Sequence, residues 1–258
     1  MNLAGKVAIV TGGGAGIGRA AAIALAEAGA ATVVADVDLG AAKAVANEIS
    51  QASGQALALA VDVSSATQTA AMAKAAVEEF GGVDLLYNNA AIQINGSVTE
   101  LDEASWDRVF AVNVKGIYLC SRACIPHMKS RGAGAIVNAA SVQGMATQKR
   151  VAAYAASKGA VIALTRSMAL DYAGDRIRVN CICPGSIDTP LLRSNAAALG
   201  EADLVLERWG SAHPIGRVGQ PIEIARLVVF LMSDEASFMT GASVVIDGGL
   251  TATFGLES

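Results

Sequence analysis

The sequence predicts an α/β fold in which one doubly wound, seven-stranded parallel sheet carries helices on both faces, and three observations support that expectation. Short β-branched or aliphatic runs alternate with longer alanine-rich helical patterns, as successive βαβ units do. The strand runs are apolar nearly throughout, which suits strands whose two faces both lie away from water. Neither a shift in composition nor a repeat of fixed period divides the 258 residues, so a single domain over 1–258 is expected.

Taken in order, the first strand is "KVAIVTG", and a glycine-rich turn leads from it into a helical pattern at 16–28. "AATVVAD" precedes a helix at 40–52, and "ALALAVDV" precedes one at 66–80. "VDLLYNN" is followed by a long pattern at 104–130, and "GAIVNAAS" by another at 152–173, which "GDRIRVN" breaks. "IRVNCICPG" is the sixth strand and "SVVIDGG" the seventh. Before the seventh, "QPIEIARLVVFLM" starts a helix at 221–232 with proline in its first turn, where a missing N–H costs nothing. From Ser186 to Gln220 no regular element stands out. That is too long for an ordinary connection, and loops of that size usually cover a binding site, so 186–220 is the candidate lid.

Composition narrows the function. Apolar residues make up 53% and charged residues 16% of the chain, against roughly 25% charged in soluble proteins generally, which suggests surface buried between subunits. A net charge of −4 without a basic run argues against nucleic acid or an anionic membrane as partner. With no apolar stretch of about 18 residues and no basic leader before a hydrophobic segment, a cytoplasmic protein is expected. Cysteines at 120, 124, 181 and 183 form no Cys-x-x-Cys pair. Cys120, Cys124 and His127 share a helical face, but three such ligands without a fourth read better as a small-residue helix contact than as a metal site.

The turn "TGGGAGIG" (11–18) supplies Gly12, Gly14, Gly16, Ile17 and Gly18 between a strand and a helix. Glycine there lets the backbone turn sharply and approach a pyrophosphate, while the helix N-terminus contributes positive potential. Asp36 ends the second strand 18 residues past Gly18, near the separation of about 20 expected for a carboxylate that bonds adenosine ribose hydroxyls. It would repel a 2′-phosphate, and neither Ala15 nor Val37 offers a cation to rescue one, so NAD is expected over NADP. Asp62 and Val63, at the end of the third strand, are candidates to meet adenine.

In "AAYAASKGAV", Tyr154 and Lys158 lie one helical turn apart on a helix that is otherwise small and apolar. Together with "TGGGAGIG", "NNAA" (88–91), the "VNV" around Asn113, "NAAS" ending at Ser141 and "PGSIDT" (184–189), this makes the chain resemble the short-chain dehydrogenase/reductase family over almost its whole length. One departure is Ala91, where the family usually has glycine. The resemblance implies a single-domain Rossmann fold and a proton-transfer set of Asn113, Ser141, Tyr154 and Lys158. A tyrosine titrates near 10, and a cation one turn away should favour its phenolate. Tyr154 would then take a proton from a substrate hydroxyl while hydride passes to the nicotinamide, with Lys158 also bonding the cofactor ribose. Ser141 would hold the substrate oxygen, and Asn113 would anchor a water relaying protons to Lys158. Asn89 and Ala90 would border the cofactor, and Pro184 and Gly185 would turn the chain over the nicotinamide. The backbone of Ile187 and the hydroxyl of Thr189 would hold its carboxamide.

Gln93, Gln143, Gln148, Arg150, Leu191, Leu192, Trp209 and His213 are positioned to meet a substrate, and the glutamines favour a sugar, polyol or cyclic alcohol. The leading expectation is an NAD-dependent secondary-alcohol dehydrogenase. A 3-oxoacyl-carrier-protein reductase is the alternative within the family, disfavoured by Asp36 because such reductases generally use NADPH. A non-catalytic dinucleotide-binding regulator would have no need of Tyr154. The family commonly forms tetramers through the Tyr154 helix and its neighbour, with the last helix and strand, so a homotetramer is expected.

Overall fold

The computed structural model describes residues 1–253. Its sheet holds seven strands: β1 (Val7–Thr11), β2 (Ala31–Asp36), β3 (Ala56–Ala60), β4 (Leu85–Asn88), β5 (Gly134–Ala139), β6 (Ile177–Pro184) and β7 (Ser243–Ile246). They lie in the order β3-β2-β1-β4-β5-β6-β7, and every neighbouring pair is parallel. The strand order reverses between β1 and β4, so a crevice opens beyond their carboxyl ends, which is where open α/β sheets take their ligands.

Alternation along the strands builds two cores. On one face Ala8 and Val10 of β1 pack with α1 (Gly16–Glu27), α2 (Leu39–Gln51) and α9 (Pro221–Met232) through Ala21, Leu25, Val45 and Val228. On the other, Val7 and Ile9 pack with α3 (Ala66–Phe80), α5 (Gly116–Arg131) and α6 (Ala152–Tyr172) through Met72, Cys120, Met128 and Met168. Each large aliphatic side chain fully withdrawn from water contributes about 1.5–3 kcal/mol. Burial raises the thiols of both Cys120 and Cys124, and the two pack as small apolar groups.

Two stretches differ from the sequence expectation. The helix expected at 104–130 is α4 (Glu103–Phe110), a π turn at Ala111–Lys115, and then α5. The side chain of Asn113 explains the break. Its Oδ1 accepts from the Ile92 amide (2.8 Å) and its Nδ2 donates to the Ile92 carbonyl (2.9 Å), so the helix gives up regular pairing to hold a neighbouring loop. The stretch 186–220, where no element stood out, contains α7 (Pro190–Ala197) and α8 (Ala202–Ser211). Helices of 8 and 10 residues present too few turns for a periodic apolar stripe. They are held by a small core of their own, Ala196, Val205 and Leu206 with Leu192, Ala202 and Trp209. The ends of this stretch are tied together: the Asp188 amide donates to the Gly219 carbonyl (2.9 Å) and the Gly219 amide to the Ser186 carbonyl (2.9 Å).

Candidate active site

A cleft of about 550 Å³ runs across the carboxyl ends of the strands, from Asp36 and Asp62 at one end to Tyr154 and Trp209 at the other. Sequence places its charged residues unevenly. Asp36, Asp62 and Arg108 line the first end, whereas Lys149 and Arg150 line the rim near Tyr154.

At the first end the carboxylate of Asp36 closes the turn after β1. Its Oδ2 accepts from the Gly14 amide (2.9 Å) and its Oδ1 from the Asp38 amide (3.0 Å). Asp38 in turn caps α2, so the position of Asp36 is set by the start of that helix. Asp62 accepts from the Ser64 hydroxyl (2.6 Å) and amide (2.9 Å), and these bonds, with Arg108 3.8 Å away, hold its carboxyl below the usual range. Val63 lines the cleft beside it.

The glycine turn divides its labour. Gly12, Gly16 and Ile17 line the cleft, and Gly12 and Gly16 hold φ values of +61 and +53, which L side chains rarely adopt. Gly14 and Gly18 face inward. A Cβ on Gly18 would lie 2.0 Å from the Gly12 carbonyl oxygen, which also accepts from Asn89 Nδ2 at 3.0 Å. Thr11 was not singled out from the sequence, yet its hydroxyl accepts from the Asn89 and Ala90 amides (3.1 and 3.2 Å) and joins the ends of β1 and β4. No side chain caps α1 at Ala15, and no acidic residue sits in its first turn. The N–H groups of that turn are therefore left for an anion, and this cradle of unbranched backbone fits a dinucleotide pyrophosphate. Ala91 lines the cleft, and it is not among the residues with positive φ, so its methyl costs no backbone strain.

At the other end, β5 and α6 bring three side chains together. Ser141 follows β5 and opens a short 3₁₀ turn, its hydroxyl accepting from the Gln143 amide at 3.1 Å. That turn packs so tightly on α6 that a Cβ on Gly144 would lie 2.7 Å from the Lys158 carbonyl carbon. Tyr154 borders the cleft, and burial pushes its phenol up to about 12, partly offset by hydrogen bonding with Ser141. Lys158 is 2% exposed, and burial brings its ammonium down to about 8. Its Nζ donates to the Ala139 carbonyl (2.6 Å) and sits 5.4 Å from the centre of the Tyr154 ring. The expectation that Lys158 lowers the phenol is therefore corrected. The cation is anchored to β5 and faces the ring, and burial of the hydroxyl sets the direction.

The side chain of Asn113 is bonded within the chain. Both of its Nδ2 hydrogens are engaged, by the Ile92 carbonyl and by Ser157 Oγ (3.1 Å), and Oδ1 is taken by the Ile92 amide. Its side chain thus fixes the loop after Asn89 and Ala90 and has no donor left for a water.

Pro184, Gly185, Ile187 and Thr189 line the cleft opposite α1, and Thr189 also caps α7 by accepting from the Leu192 amide (3.1 Å). Gln93, Gln143, Gln148, Arg150, Leu191, Leu192 and Trp209 all border its far end. Two of the glutamines are occupied within their own loops: Gln93 donates to Asn95 (2.7 Å), and Gln143 accepts from the Thr147 hydroxyl (2.8 Å). Arg150 holds a φ of +65 and pairs with Glu100. His213 is the exception. It is buried behind the wall, bonded to Ser186 and Trp209, and does not line the cleft. Ile92, Asn95, Arg108, Asn195 and Leu199 line it without having been anticipated, since no local pattern marks a residue brought in by a neighbouring element.

Residues 12–251 match the family model described as Enoyl-(Acyl carrier protein) reductase. The 2-(S)-hydroxypropyl-CoM dehydrogenase 3 of Xanthobacter autotrophicus is 42% identical over 250 residues, which cover 97% of this chain and 98% of that one. A cyclohexanol dehydrogenase of an Acinetobacter species is 41% identical over 249 residues, covering 96% of this chain and 95% of that one. The crystal structure of a levodione reductase superposes with a TM-score of 0.95 at 34% identity, over 98% of this chain and all of the other (100%).

Proposed function

The chain belongs to the short-chain dehydrogenase/reductase family, and from that premise we propose that it interconverts a secondary alcohol and its ketone with NAD. It is an oxidoreductase acting on alcohols and uses a nicotinamide dinucleotide. The observation that carries the proposal is the meeting of Ser141, Tyr154 and Lys158 at one end of a cleft whose middle is an uncapped helix N-terminus.

When bound, the dinucleotide supplies the hydride acceptor or donor. The first turn of α1, with Gly12 and Gly16, holds its pyrophosphate. Asp36 takes the adenosine ribose, and Asp62 and Val63 border the adenine. The Ile187 backbone and the Thr189 hydroxyl take the carboxamide, with Asn89, Ala90, Pro184 and Gly185 forming the walls. Tyr154 exchanges the proton with the substrate oxygen, Ser141 donates to that oxygen, and Lys158 bonds the nicotinamide ribose. Asn113 supports this end by fixing the backbone at Ile92. α7 and α8 act as the lid, bringing Leu191 and Trp209 to the end of the cleft that Gln93, Gln143 and Gln148 border.

NAD is favoured over NADP because a carboxylate beside the 2′ position disfavours a phosphate. Asp36→Asn removes the charge and keeps one of the two acceptors that serve the Gly14 and Asp38 amides, so the kcat/KM ratio of NAD to NADP should fall about tenfold or more, roughly 1.4 kcal/mol. Steady-state kinetics with both cofactors check it, and an unchanged ratio removes Asp36 from cofactor choice.

The substrate class is a cyclic or hydroxylated secondary alcohol. Support comes from the mixture of glutamines with Leu191 and Trp209 around the far end, and from relatives named for cyclohexanol and for meso-2,3-butanediol. The description of the matching family model keeps an acyl-carrier-protein reductase as the second reading. A panel of cyclohexanol, 2,3-butanediol and sugars with NAD, followed by NADH absorbance, decides between them when run beside reduction of an acetoacetyl thioester with NADPH. Turnover of the thioester alone would overturn the first reading. A homotetramer in the cytoplasm completes the proposal. Its support is the fully exposed Phe238 and the 82% exposed Leu170 of α6. No helix among the described residues is long and apolar enough to cross a membrane.

A further inference from the structure

His213 joins two walls of the cleft without touching its contents. It follows α8, is 3% exposed, and has both ring nitrogens engaged. Nε2 lies 3.1 Å from the Ser186 amide nitrogen, and Nδ1 lies 2.7 Å from the Trp209 carbonyl oxygen. An amide N–H only donates and a carbonyl only accepts, so the two partners select one tautomer, with the proton on Nδ1 and Nε2 free to accept. Ser186 sits between Gly185 and Ile187 in the loop after β6, whereas Trp209 belongs to α8 and lines the far end of the cleft.

The surroundings leave the ring little freedom. A Cβ on Gly185 would lie 2.9 Å from His213 Nε2 and 3.0 Å from the Asp247 Cα. On the other side, the Ile215 amide donates to the Gly248 carbonyl (3.2 Å), and a Cβ on Gly248 would meet Ile215 Cγ2 at 2.6 Å. The segment 213–216 is thus seated on 247–249 beyond β7, and the imidazole is held as a strut between the loop and the lid helix.

We propose that His213 is a positioning residue whose two nitrogens serve different halves of the active site: Nε2 sets the loop at 185–187 for the cofactor, and Nδ1 sets α8 and Trp209 for the substrate. This rests on the nicotinamide reading of the cleft given above. The two halves separate chemically, because the Gln amide reaches the place of Nε2 and the Asn amide the place of Nδ1. His213→Gln keeps an acceptor for Ser186 and gives up the donor to Trp209. His213→Asn keeps the donor to Trp209 and gives up the acceptor for Ser186.

In the full chain, NADH affinity is titrated by the fluorescence of the cofactor, and the KM for cyclohexanol is measured at saturating NAD. His213→Asn should weaken NADH about tenfold and leave the cyclohexanol KM within about twofold, as expected for one lost hydrogen bond. His213→Gln should do the reverse. Equal losses in both constants in both variants would reduce His213 to general packing and overturn the proposal, as would wild-type constants throughout. Should the wild type bind NADH without oxidising cyclohexanol, that substrate is wrong, and the NADH titration alone decides: a loss confined to His213→Asn supports the strut, and any other pattern overturns it. A wild type that binds no NADH defeats the nicotinamide reading itself, and the strut with it.

Discussion

Tyr154→Phe should lower kcat for alcohol oxidation by about 10²–10⁴-fold, the usual worth of a positioned acid or base, with NADH affinity kept within about twofold. The change removes one oxygen and keeps the ring that borders the cleft, so cofactor contacts survive while the proton loses its carrier. Burial pushes the phenol up to about 12, so the neutral form is the resting state at pH 7. That gives the pH dependence a sign. Oxidation needs the deprotonated form and should speed up as pH rises from neutral toward alkaline values. Reduction uses the phenol and should show no such rise. Initial rates in both directions across that range test this, and an oxidation rate that stays level, or a Phe variant of full activity, would take Tyr154 out of the chemistry.

Gly18→Ala should abolish NADH binding, and the reason is distance alone. The new Cβ would fall 2.0 Å from the Gly12 carbonyl oxygen and 2.5 Å from Asn89 Nδ2. The obstacle is largely backbone, so no rotamer change relieves it. Either α1 withdraws from β1 or the Gly12 turn opens, and both destroy the cradle for the pyrophosphate. A loss above about 100-fold is expected, equal to roughly 2.7 kcal/mol or more. Gly159→Ala is the matched control, since its Cβ would meet nothing nearer than the Gly144 carbonyl oxygen at 3.6 Å. It should fold and bind NADH normally. Circular dichroism beside the titration shows whether the Gly18 variant loses its site or its fold, and normal binding in a folded Gly18 variant would refute the close-approach argument.

A residue's place in the cleft is legible in the sequence where it depends on the residue's own neighbours in the chain. Gly12, Gly16 and Ile17 sit between a strand and a helix in any fold that keeps the pattern, and Tyr154 and Lys158 share a helical face by their spacing. Contacts whose partner lies elsewhere in the chain are not legible in that way. The partner of Asn113, Ile92, is 21 residues away, so its bond to that loop could not be read from neighbouring residues. His213, expected to meet a substrate, instead bonds Ser186 and Trp209, neither of them marked as its partner by any motif. Arg108 carried no signal at all, and only folding brings it, on α4, to within 3.8 Å of Asp62 beyond β3.

The amino-acid order by itself determined the run of strands and helices and the residues that line the cleft from β1, β5 and α6, because periodicity, turn glycines and helical spacing are local properties. Tertiary structure decided which charges are desolvated, which amides are already satisfied, and how the lid is tied down. Electrostatics and hydrogen bonding depend on atoms brought close by folding: Lys158 bonds a carbonyl of β5, Asn113 a distant loop, and His213 two walls at once.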